Sequence, residues 1–169
     1  MLPGSDNHPN LGIIRDHARG PLVEALRQRI AQLEGTRRPK SDLPLSTGCE
    51  ALDRLLPARG LHRGTLVEWL ASGDGSGAES LALVAAREAC REGGPLVVFD
   101  PARQFYPPEA ARMGLDLDRL IVVQAASPTD NLWALDQALR CPGVAAALAW
   151  PEKLDSRTFR RLQLAAENA

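Results

Sequence analysis

The sequence has few aromatic residues, few cysteines and almost no net charge. Aromatics make up 4% of its 169 residues, so a core must be built mainly from Leu, Val and Ala. The net charge is −1, so no overall positive field would attract nucleic acid, although a local basic face stays open. No apolar run approaches the roughly 20 residues that cross a bilayer, and no signal-peptide pattern opens the chain. We therefore expect one globular, cytoplasmic domain with no membrane partner.

The cysteines and histidines do not form a recognisable site. Cys49, Cys90 and Cys141 are odd in number, far apart and without metal-ligand spacing, which predicts reduced thiols. The three histidines share no spacing with an acid or a cysteine that would indicate a triad. We accordingly expect neither a metal ion nor a cofactor.

Composition divides the chain into four parts. We predict a mobile leader over residues 1–19, an N-terminal helix over 20–34, a linker over 35–44 and a core domain over 45–169. The helix carries one apolar stripe with spacings of three and four, formed by Val23, Leu26, Ile30 and Leu33. This stripe either folds back on its own domain or binds a partner by helix-in-groove packing, and it is our main candidate partner surface.

The core alternates short apolar segments with helical patterns. "TLVEWL", "PLVVFD", "RLIVVQ" and "GVAAALAW" predict strands, and helices are predicted between and after them, one of them capped by Thr129 or Asp130. This alternation predicts an α/β fold with a mostly parallel sheet covered on both faces. Ligands of such sheets bind beyond the carboxyl ends of the strands.

The stretch "ASGDGSGAES" follows the first predicted strand, where a phosphate-binding loop would lie. It supplies Gly73, Gly75 and Gly77, but Ala78 and Glu79 stand where the pattern G-x-x-x-x-G-K-[ST] requires Lys and Ser or Thr. No lysine occurs between Lys40 and Lys153, so no other alignment restores the cation. A carboxylate about 4 Å from a phosphate costs on the order of 1–4 kcal/mol, which argues against a triphosphate site. We expect Glu79 to fill the loop and complement the helix dipole instead.

Several motifs in this order resemble the ATPase core of RecA recombinases. They are "LSTGCEALDRLL", "GLHRGTLVEWL", the glycine loop, "PLVVFD" and "YPPEAARMGLDLDRLIVVQ". "LWALDQALRCPGVAAALAWPEKLDSRTFRRLQLAAE" is similar to the ImuA family of RecA-like proteins of bacterial DNA-damage mutagenesis. The resemblance covers roughly residues 43–167 and implies a three-layer RecA-like fold of the P-loop NTPase type.

The resemblance also implies that catalysis has been lost. Asp100 is kept at the end of the second strand, but Ala102 stands where RecA has the glutamate that activates water. Trp150 ends the strand that would carry the Walker B aspartate. With the lysine and hydroxyl also absent, phosphoryl transfer lacks its positioned charges, so we predict no enzyme activity. Asp100 itself could be a residual ligand residue, but we favour a cap for the turn through Pro101.

The function implied by the resemblance is that of an accessory protein in SOS-induced, error-prone translesion synthesis. The partners implied are an adaptor homologous to Y-family polymerases, an error-prone DnaE-type polymerase and, less directly, RecA. Two alternatives stay open: a SulA-like inhibitor of cell division, which shares a RecA-like fold without ATPase residues, and an ATP-binding, DNA-dependent ATPase.

RecA-like sheets place a further strand between the fourth strand and the P-loop strand, and that strand follows the last helix predicted here. We therefore expect either a fragment of a longer protein, which we favour, or a sheet with an unfilled gap and two open edges.

Tryptophans and arginines are the remaining candidates. We expect Trp69 and Trp133 in the core and treat Trp150, at the ligand edge, as a candidate partner contact. Arg157 and Arg161 share a face of the last helix, for which a solvated surface is favoured over DNA contact.

Overall fold

A three-stranded parallel sheet forms the centre of the structure. The computed structural model describes residues 43–73, 75–151 and 153–168, all within one compact unit. The elements in chain order are α1 (Glu50–Leu55), α2 (Ala78–Arg91), β1 (Leu96–Phe99), α3 (Pro107–Arg112), a 3-10 turn (Leu117–Arg119), β2 (Leu120–Val123), α4 (Pro128–Leu139), β3 (Ala146–Ala149) and α5 (Ser156–Glu167). The predicted α/β class with a parallel sheet is confirmed.

Strand β1 lies in the middle of the sheet, in the order β2-β1-β3. Leu96 is in register with Leu120 of β2 on one side and with Ala146 of β3 on the other. All four residues of β1 are at most 5% exposed. A strand that is paired at both edges and covered on both faces reads as a continuous apolar run, which is what "LVVF" is.

Helices cover both faces of the sheet, which gives three layers. Leu96 and Val98 pack with residues of α2 and α3, including Ala86 and Ala110. Since side chains alternate along a strand, the next residues point to the opposite face. There Val97 and Phe99 pack with Leu135 of α4 and Leu162 of α5. Two apolar clusters therefore share one sheet between them.

The segment "TLVEWL" is not a strand, so that prediction is wrong. Thr65–Leu70 carries no assigned secondary structure, and among the described residues its backbone forms no backbone–backbone hydrogen bond outside regular elements. Leu66 still packs against the cluster of β1 and α4. Four of its six residues, Thr65, Val67, Glu68 and Leu70, are exposed. A strand also requires a neighbouring strand, and no described strand pairs with this segment.

The segment before the sheet is closed by an antiparallel bridge. Leu45 and Leu61 exchange two backbone hydrogen bonds of 2.8 and 2.7 Å. Inside this loop Thr47 is fully buried, and both its N–H and its hydroxyl donate to Asp53, at 2.8 and 2.7 Å. Hydrogen bonds, first from the Ser46 hydroxyl and then from Thr47, lower the pKa of the Asp53 carboxyl. The start of the core is therefore fixed by hydrogen bonds as well as by apolar contact.

Helix α4 begins one residue before the predicted caps. Its N-cap is Ser127, whose hydroxyl accepts a hydrogen bond from the N–H of Asp130 at 3.1 Å. Pro128 occupies the first turn, where it removes no helical hydrogen bond. The prediction that Thr129 or Asp130 caps the helix is therefore wrong, because the Ser-Pro pair before them satisfies the helix start.

The predicted leader, the N-terminal helix and most of the linker lie outside the described residues.

Candidate functional site

The glycine loop precedes helix α2 and is open to solvent. Gly75 and Gly77 have φ values of +73° and +84°, a region that favours glycine. A Cβ atom added at Gly73, Gly75 or Gly77 would meet nothing within 4 Å. The N–H of Ser76 donates to the carbonyl of Gly73 at 3.3 Å. Gly75 and Gly77 therefore adopt a backbone conformation that favours glycine, in a loop with free space around its glycines.

Helix α2 starts at Ala78, directly after the loop, with Gly77 as its N-cap and no side-chain cap. Glu79 lies in the first turn, as predicted for a residue that complements the helix dipole. Its side chain is exposed, and no described residue forms a hydrogen bond with its carboxylate. The expectation that Glu79 fills the loop is therefore not met by hydrogen bonds, and only its position at the positive end of the helix agrees with it.

Asp100, at the end of β1, is 5% exposed and closes the following turn. Its two carboxylate oxygens accept hydrogen bonds from the N–H groups of Gln104 and Phe105, at 2.9 and 3.0 Å. Its carbonyl accepts from the N–H of Arg103, which adopts a φ of +57°. This is the cap that the sequence predicted, and it engages both carboxylate oxygens.

The two positions where the resemblance implies catalytic acids, Ala102 and Trp150, carry no carboxylate. Ala102 lies exposed in the turn that Asp100 closes. Trp150 follows β3 and is 41% exposed. Neither side chain can activate water or hold a metal ion through a carboxylate. Among the described residues, no group of three or more His, Cys, Asp or Glu side chains could hold a metal ion.

A cleft of about 700 Å³ runs along the outer edge of β3. Its opposite wall is the unpaired segment Thr65–Leu70, and its two sides come from α2 and from α4 and α5. Apolar side chains dominate the lining, among them Leu66, Ala82, Ala85, Ala89, Leu135, Phe159 and Leu162. The cleft therefore lies between β3 and Thr65–Leu70, the segment that was predicted as the first strand.

The edge of β3 that borders this cleft presents unpaired peptide groups. Ala145 donates its N–H to Pro95 beside β1 at 3.0 Å. Because peptide groups alternate along a strand, those of Ala146 and Leu148 point away from β1, toward the cleft. Among the described residues, no backbone–backbone hydrogen bond reaches them. The cleft is therefore apolar on its sides and polar along its edge.

The ends of the cleft differ in character. Near the start of β3, Arg63 and Glu92 form an ion pair with an N···O distance of 2.6 Å. The Nε of Arg63 is buried and has no hydrogen-bond partner among the described residues. At the other end, Trp150 lines the cleft with Ala78 and Glu79 at the start of α2. The candidate contact Trp150 and the altered loop thus share one end of the cleft.

Trp133 lies on the surface, so its predicted place in the core is wrong. Its exposed fraction is 65%, whereas Leu135 on the same helix is 7% exposed. The sequence held the signal, because Leu132, Leu135 and Leu139 form the inner stripe at spacings of three and four and Trp133 falls outside it. Trp69 is half-buried and lines the cleft.

A buried carboxylate on α4 was not predicted. Asp136 is 7% exposed, and it pairs with Arg140 of its own helix at 2.7 Å and with Arg161 of α5 at 3.4 Å. The hydrogen bond from Arg140 lowers the pKa of the Asp136 carboxyl, while burial opposes the shift. Spacing predicts the Arg140 pair, but the Arg161 pair depends on how two helices dock.

Some candidates are not brought into the site. Val23, Leu26, Ile30 and Leu33 lie outside the described residues. Cys49, Cys90 and Cys141 are free thiols, and burial raises the pKa of Cys90. A search of the described residues finds no helix that is long and apolar enough to span a membrane.

The three-stranded parallel sheet with helices on both faces is consistent with a RecA-like α/β domain, and the segment before α2 lacks the Lys and the Ser or Thr of the pattern G-x-x-x-x-G-K-[ST]. The chain is 36% identical over 138 residues to the protein ImuA of Caulobacter vibrioides, which covers 79% of this chain and 56% of that protein. It is also 36% identical over 100 residues to RecA of Rhodopirellula baltica, and 35% identical over 100 residues to RecA of Chlorobaculum parvum. These similarities support a place for the chain in the ImuA and RecA-like family.

These matches cover only part of each relative. The chain spans about half the length of the ImuA relative and about a quarter of the two RecA proteins, of which it covers 26% and 28%. No family model matches the chain.

Proposed function

We propose that this domain is an accessory protein of DNA-damage-induced, error-prone translesion synthesis and that it acts by binding proteins rather than by hydrolysing ATP. The similarity to ImuA supports the process, and the chemistry of the loop supports the absence of catalysis. The proposed partners are those implied by the resemblance: an adaptor homologous to Y-family polymerases, a DnaE-type polymerase and RecA.

The observation that carries this proposal is the start of α2. Ala78 and Glu79 occupy the first helical turn, directly after an open loop with free space around its glycines. A helix start with free N–H groups attracts phosphate, but here the first charge that phosphate would meet is a carboxylate. No lysine follows the loop, and Glu79 stands where the pattern requires the first hydroxyl; the hydroxyl of Ser80 comes one residue later and carries no charge to offset the repulsion.

The remaining catalytic positions support the same conclusion. Asp100 is fixed in a turn by two backbone hydrogen bonds, so its oxygens do not face a ligand unpaired. Ala102 and Trp150 supply no general base and no metal ligand. Phosphoryl transfer depends on charges held around the phosphates, and this domain has no such set at the expected places.

Equilibrium binding of labelled ATP tests the biochemical half of the proposal. We expect no magnesium-dependent binding and no hydrolysis, with or without single-stranded DNA, up to millimolar nucleotide. RecA from any source serves as the positive control. Saturable, magnesium-dependent ATP binding whose affinity Glu79→Arg alters would overturn the assignment of the loop.

A deletion strain tests the cellular half. Loss of the gene should lower the frequency of mutations induced by ultraviolet light and leave spontaneous mutation unchanged. Complementation with the Glu79→Ala variant should restore it fully, because the loop is not used for nucleotide. Normal induced mutagenesis in the deletion strain, together with altered division after damage, would favour the division-inhibitor alternative.

A further inference from the structure

Two contacts fix the direction of the cleft between β3 and Thr65–Leu70. Arg63, just before Thr65–Leu70, pairs with Glu92, just after α2, at 2.6 Å. Gly94 approaches Gly143, just before β3, so closely that an added Cβ would lie 2.6 Å from the Gly143 carbonyl oxygen. The start of β3 therefore lies beside the end of α2, and the end of β3 lies beside the start of α2.

The end of the cleft at the start of α2 carries unpaired negative charge. The charged side chains that line the cleft are Glu68, Glu79, Glu92 and Arg63. Arg63 pairs with Glu92 at the opposite end, whereas among the described residues the carboxylates of Glu68 and Glu79 form no ion pair and no hydrogen bond. Lys153 and Arg157 follow Trp150 in the chain, but they do not line the cleft. Two carboxylates and an indole that is 41% exposed therefore share this end, and its lining holds no Lys or Arg.

The long edges of the cleft call for an extended polypeptide. Alternate peptide groups of β3 face the cleft, and Thr65–Leu70 forms no backbone–backbone hydrogen bond among the described residues. A bound helix bonds its own peptide groups internally, and an apolar small molecule has no donors to offer along an edge. An extended segment supplies donors and acceptors at the spacing of a strand.

The walls of the cleft determine what side chains that segment needs. Ala82 and Ala85 of α2 line one side, and Phe159 and Leu162 of α5 line the other. A strand placed beside β3 would lie between these layers and would be covered on both faces, so a continuous apolar run fits it. Helix α2 has 14 residues and is about 21 Å long. About six extended residues span that length.

We propose that this cleft binds an extended, apolar segment of a partner protein that carries arginine or lysine at its C-terminal end. Running parallel to β3, as the described strands run to one another, the segment places its basic end beside Trp150, Glu68 and Glu79. The carboxylates pair with the cation, and the indole adds a cation–π contact. The proposal rests on the proposed function in taking the domain to be a protein-binding module, and it adds the surface and the chemistry of the partner segment.

Three labelled peptides test the two kinds of complementarity. The first has about six residues drawn from Val, Ile and Leu, followed by two arginines, and its fluorophore is attached through a Ser-Gly pair at the N-terminus. The second has Gln in place of both arginines. The third keeps every side chain of the first but carries N-methyl groups on alternate peptide nitrogens, which removes strand hydrogen bonds. Fluorescence anisotropy is followed on titration with the purified 169-residue chain. We expect the first peptide to bind at least about tenfold more tightly than either of the others.

Variants connect this binding to the cleft. Glu68→Gln combined with Glu79→Gln should weaken binding of the arginine peptide about tenfold and leave the Gln peptide unaffected. Trp150→Ala should weaken the arginine peptide about fivefold, and Trp150→Phe should restore most of the loss. Glu109→Gln is the matched control, because Glu109 also lies in the first turn of a helix but does not line the cleft. Glu79→Ala alone should have little effect, since Glu68 keeps a carboxylate at this end.

Three results overturn the proposal: equal binding of the N-methylated peptide, equal binding of the Gln peptide, or no binding of the arginine peptide. Sedimentation equilibrium supplies a fourth, since a dimer of the 169-residue chain that the arginine peptide dissociates would assign the cleft to a second copy. None of the peptide comparisons depends on a variant, so they stand even if a substitution disturbs folding. ATP binding by the same preparation would count against the proposed function alone, so the two failures are distinguishable.

Discussion

Two short apolar segments of this domain, "PLVVFD" and "TLVEWL", were both predicted as strands, but only the first forms one. "PLVVFD" forms β1 and ends in Asp100, whose carboxylate closes the next turn, whereas "TLVEWL" stays unpaired and leads into the open glycine loop. Both are short, apolar and β-branched, so intrinsic preference does not separate them. The difference is the number of neighbouring strands, two for β1 and none beside Thr65–Leu70 among the described residues.

The loops that follow the two segments also differ, because only the loop after β1 is held by side-chain hydrogen bonds. The turn after β1 is anchored by a buried side chain, and the glycine loop has no side-chain cap at the helix it precedes. The turn after β1 is therefore held by side-chain hydrogen bonds and the glycine loop is open, although the sequence predicted that both follow strands of the sheet. Four pairs of measurements test this difference between the two regions.

Truncation of a buried residue should give the largest contrast. Phe99→Ala should lower the free energy of unfolding by about 3–5 kcal/mol, because the residue is 1% exposed and a cavity would remain. Val67→Ala, at a side chain that is 44% exposed, should cost less than about 0.5 kcal/mol. Urea unfolding measures both. Equal losses would show that Thr65–Leu70 is packed as tightly as β1.

Glycine replacement should give the next largest contrast. Gly94 precedes β1 with a φ of +87°, and an added Cβ would lie 2.6 Å from the carbonyl oxygen of Gly143. We expect Gly94→Ala to cost about 3 kcal/mol, from the left-handed backbone and the clash together. Gly75→Ala, with a φ of +73° and open space, should cost only about 1 kcal/mol. Thermal unfolding of both variants checks the difference, which a similar cost at the two positions would contradict.

Removal of the carboxylate side chain should give a smaller difference in stability between the turn after β1 and the glycine loop. Asp100→Ala leaves two backbone N–H groups without their acceptor and should cost about 2 kcal/mol. Asp100→Asn keeps one acceptor and should lose less. Glu79→Ala should stay within about 0.5 kcal/mol, since its carboxylate is exposed. A cost at Glu79 as large as at Asp100 would mean that the loop does use its carboxylate.

The smallest expected effect is a difference in amide hydrogen exchange rate between alternate residues of strand β3. The N–H groups of Ala146 and Leu148 face the cleft, so they should exchange at least about tenfold faster than those of Ala147 and Ala149, which face β1. Nuclear magnetic resonance on the 169-residue chain resolves the four amides. Uniform protection along β3 would indicate that the cleft edge is paired in solution.

Much of this fold follows from local pattern in the sequence. The three paired strands and the helices between them were predicted, because alternating apolar runs and helical stripes are local properties. The cap formed by Asp100 was also predicted, since a carboxylate before Pro101 and a turn is a short-range signal. Both depend on residues within about five positions of each other.

What the sequence did not predict depends on contacts between distant elements. The unpaired state of Thr65–Leu70 reflects what lies beside it in the sheet, which its own residues do not encode. The link from Asp136 to Arg161 requires the docking of α4 on α5, 25 residues later in the chain. The exposure of Trp133 is a different case, because it follows from a position on α4 outside the inner stripe that contains Leu135.

The sharing of Asp136 by two arginines has a consequence for mutational surveys of this domain. If Arg140 alone is replaced, Arg161 still neutralises the buried carboxylate, and the reverse holds as well. Each arginine would therefore score as dispensable in a single-substitution scan, whereas loss of both would strand an uncompensated charge between the helices. Because either arginine can neutralise Asp136, a single substitution should change the stability of the domain little. Only the double substitution would reveal what the pair contributes.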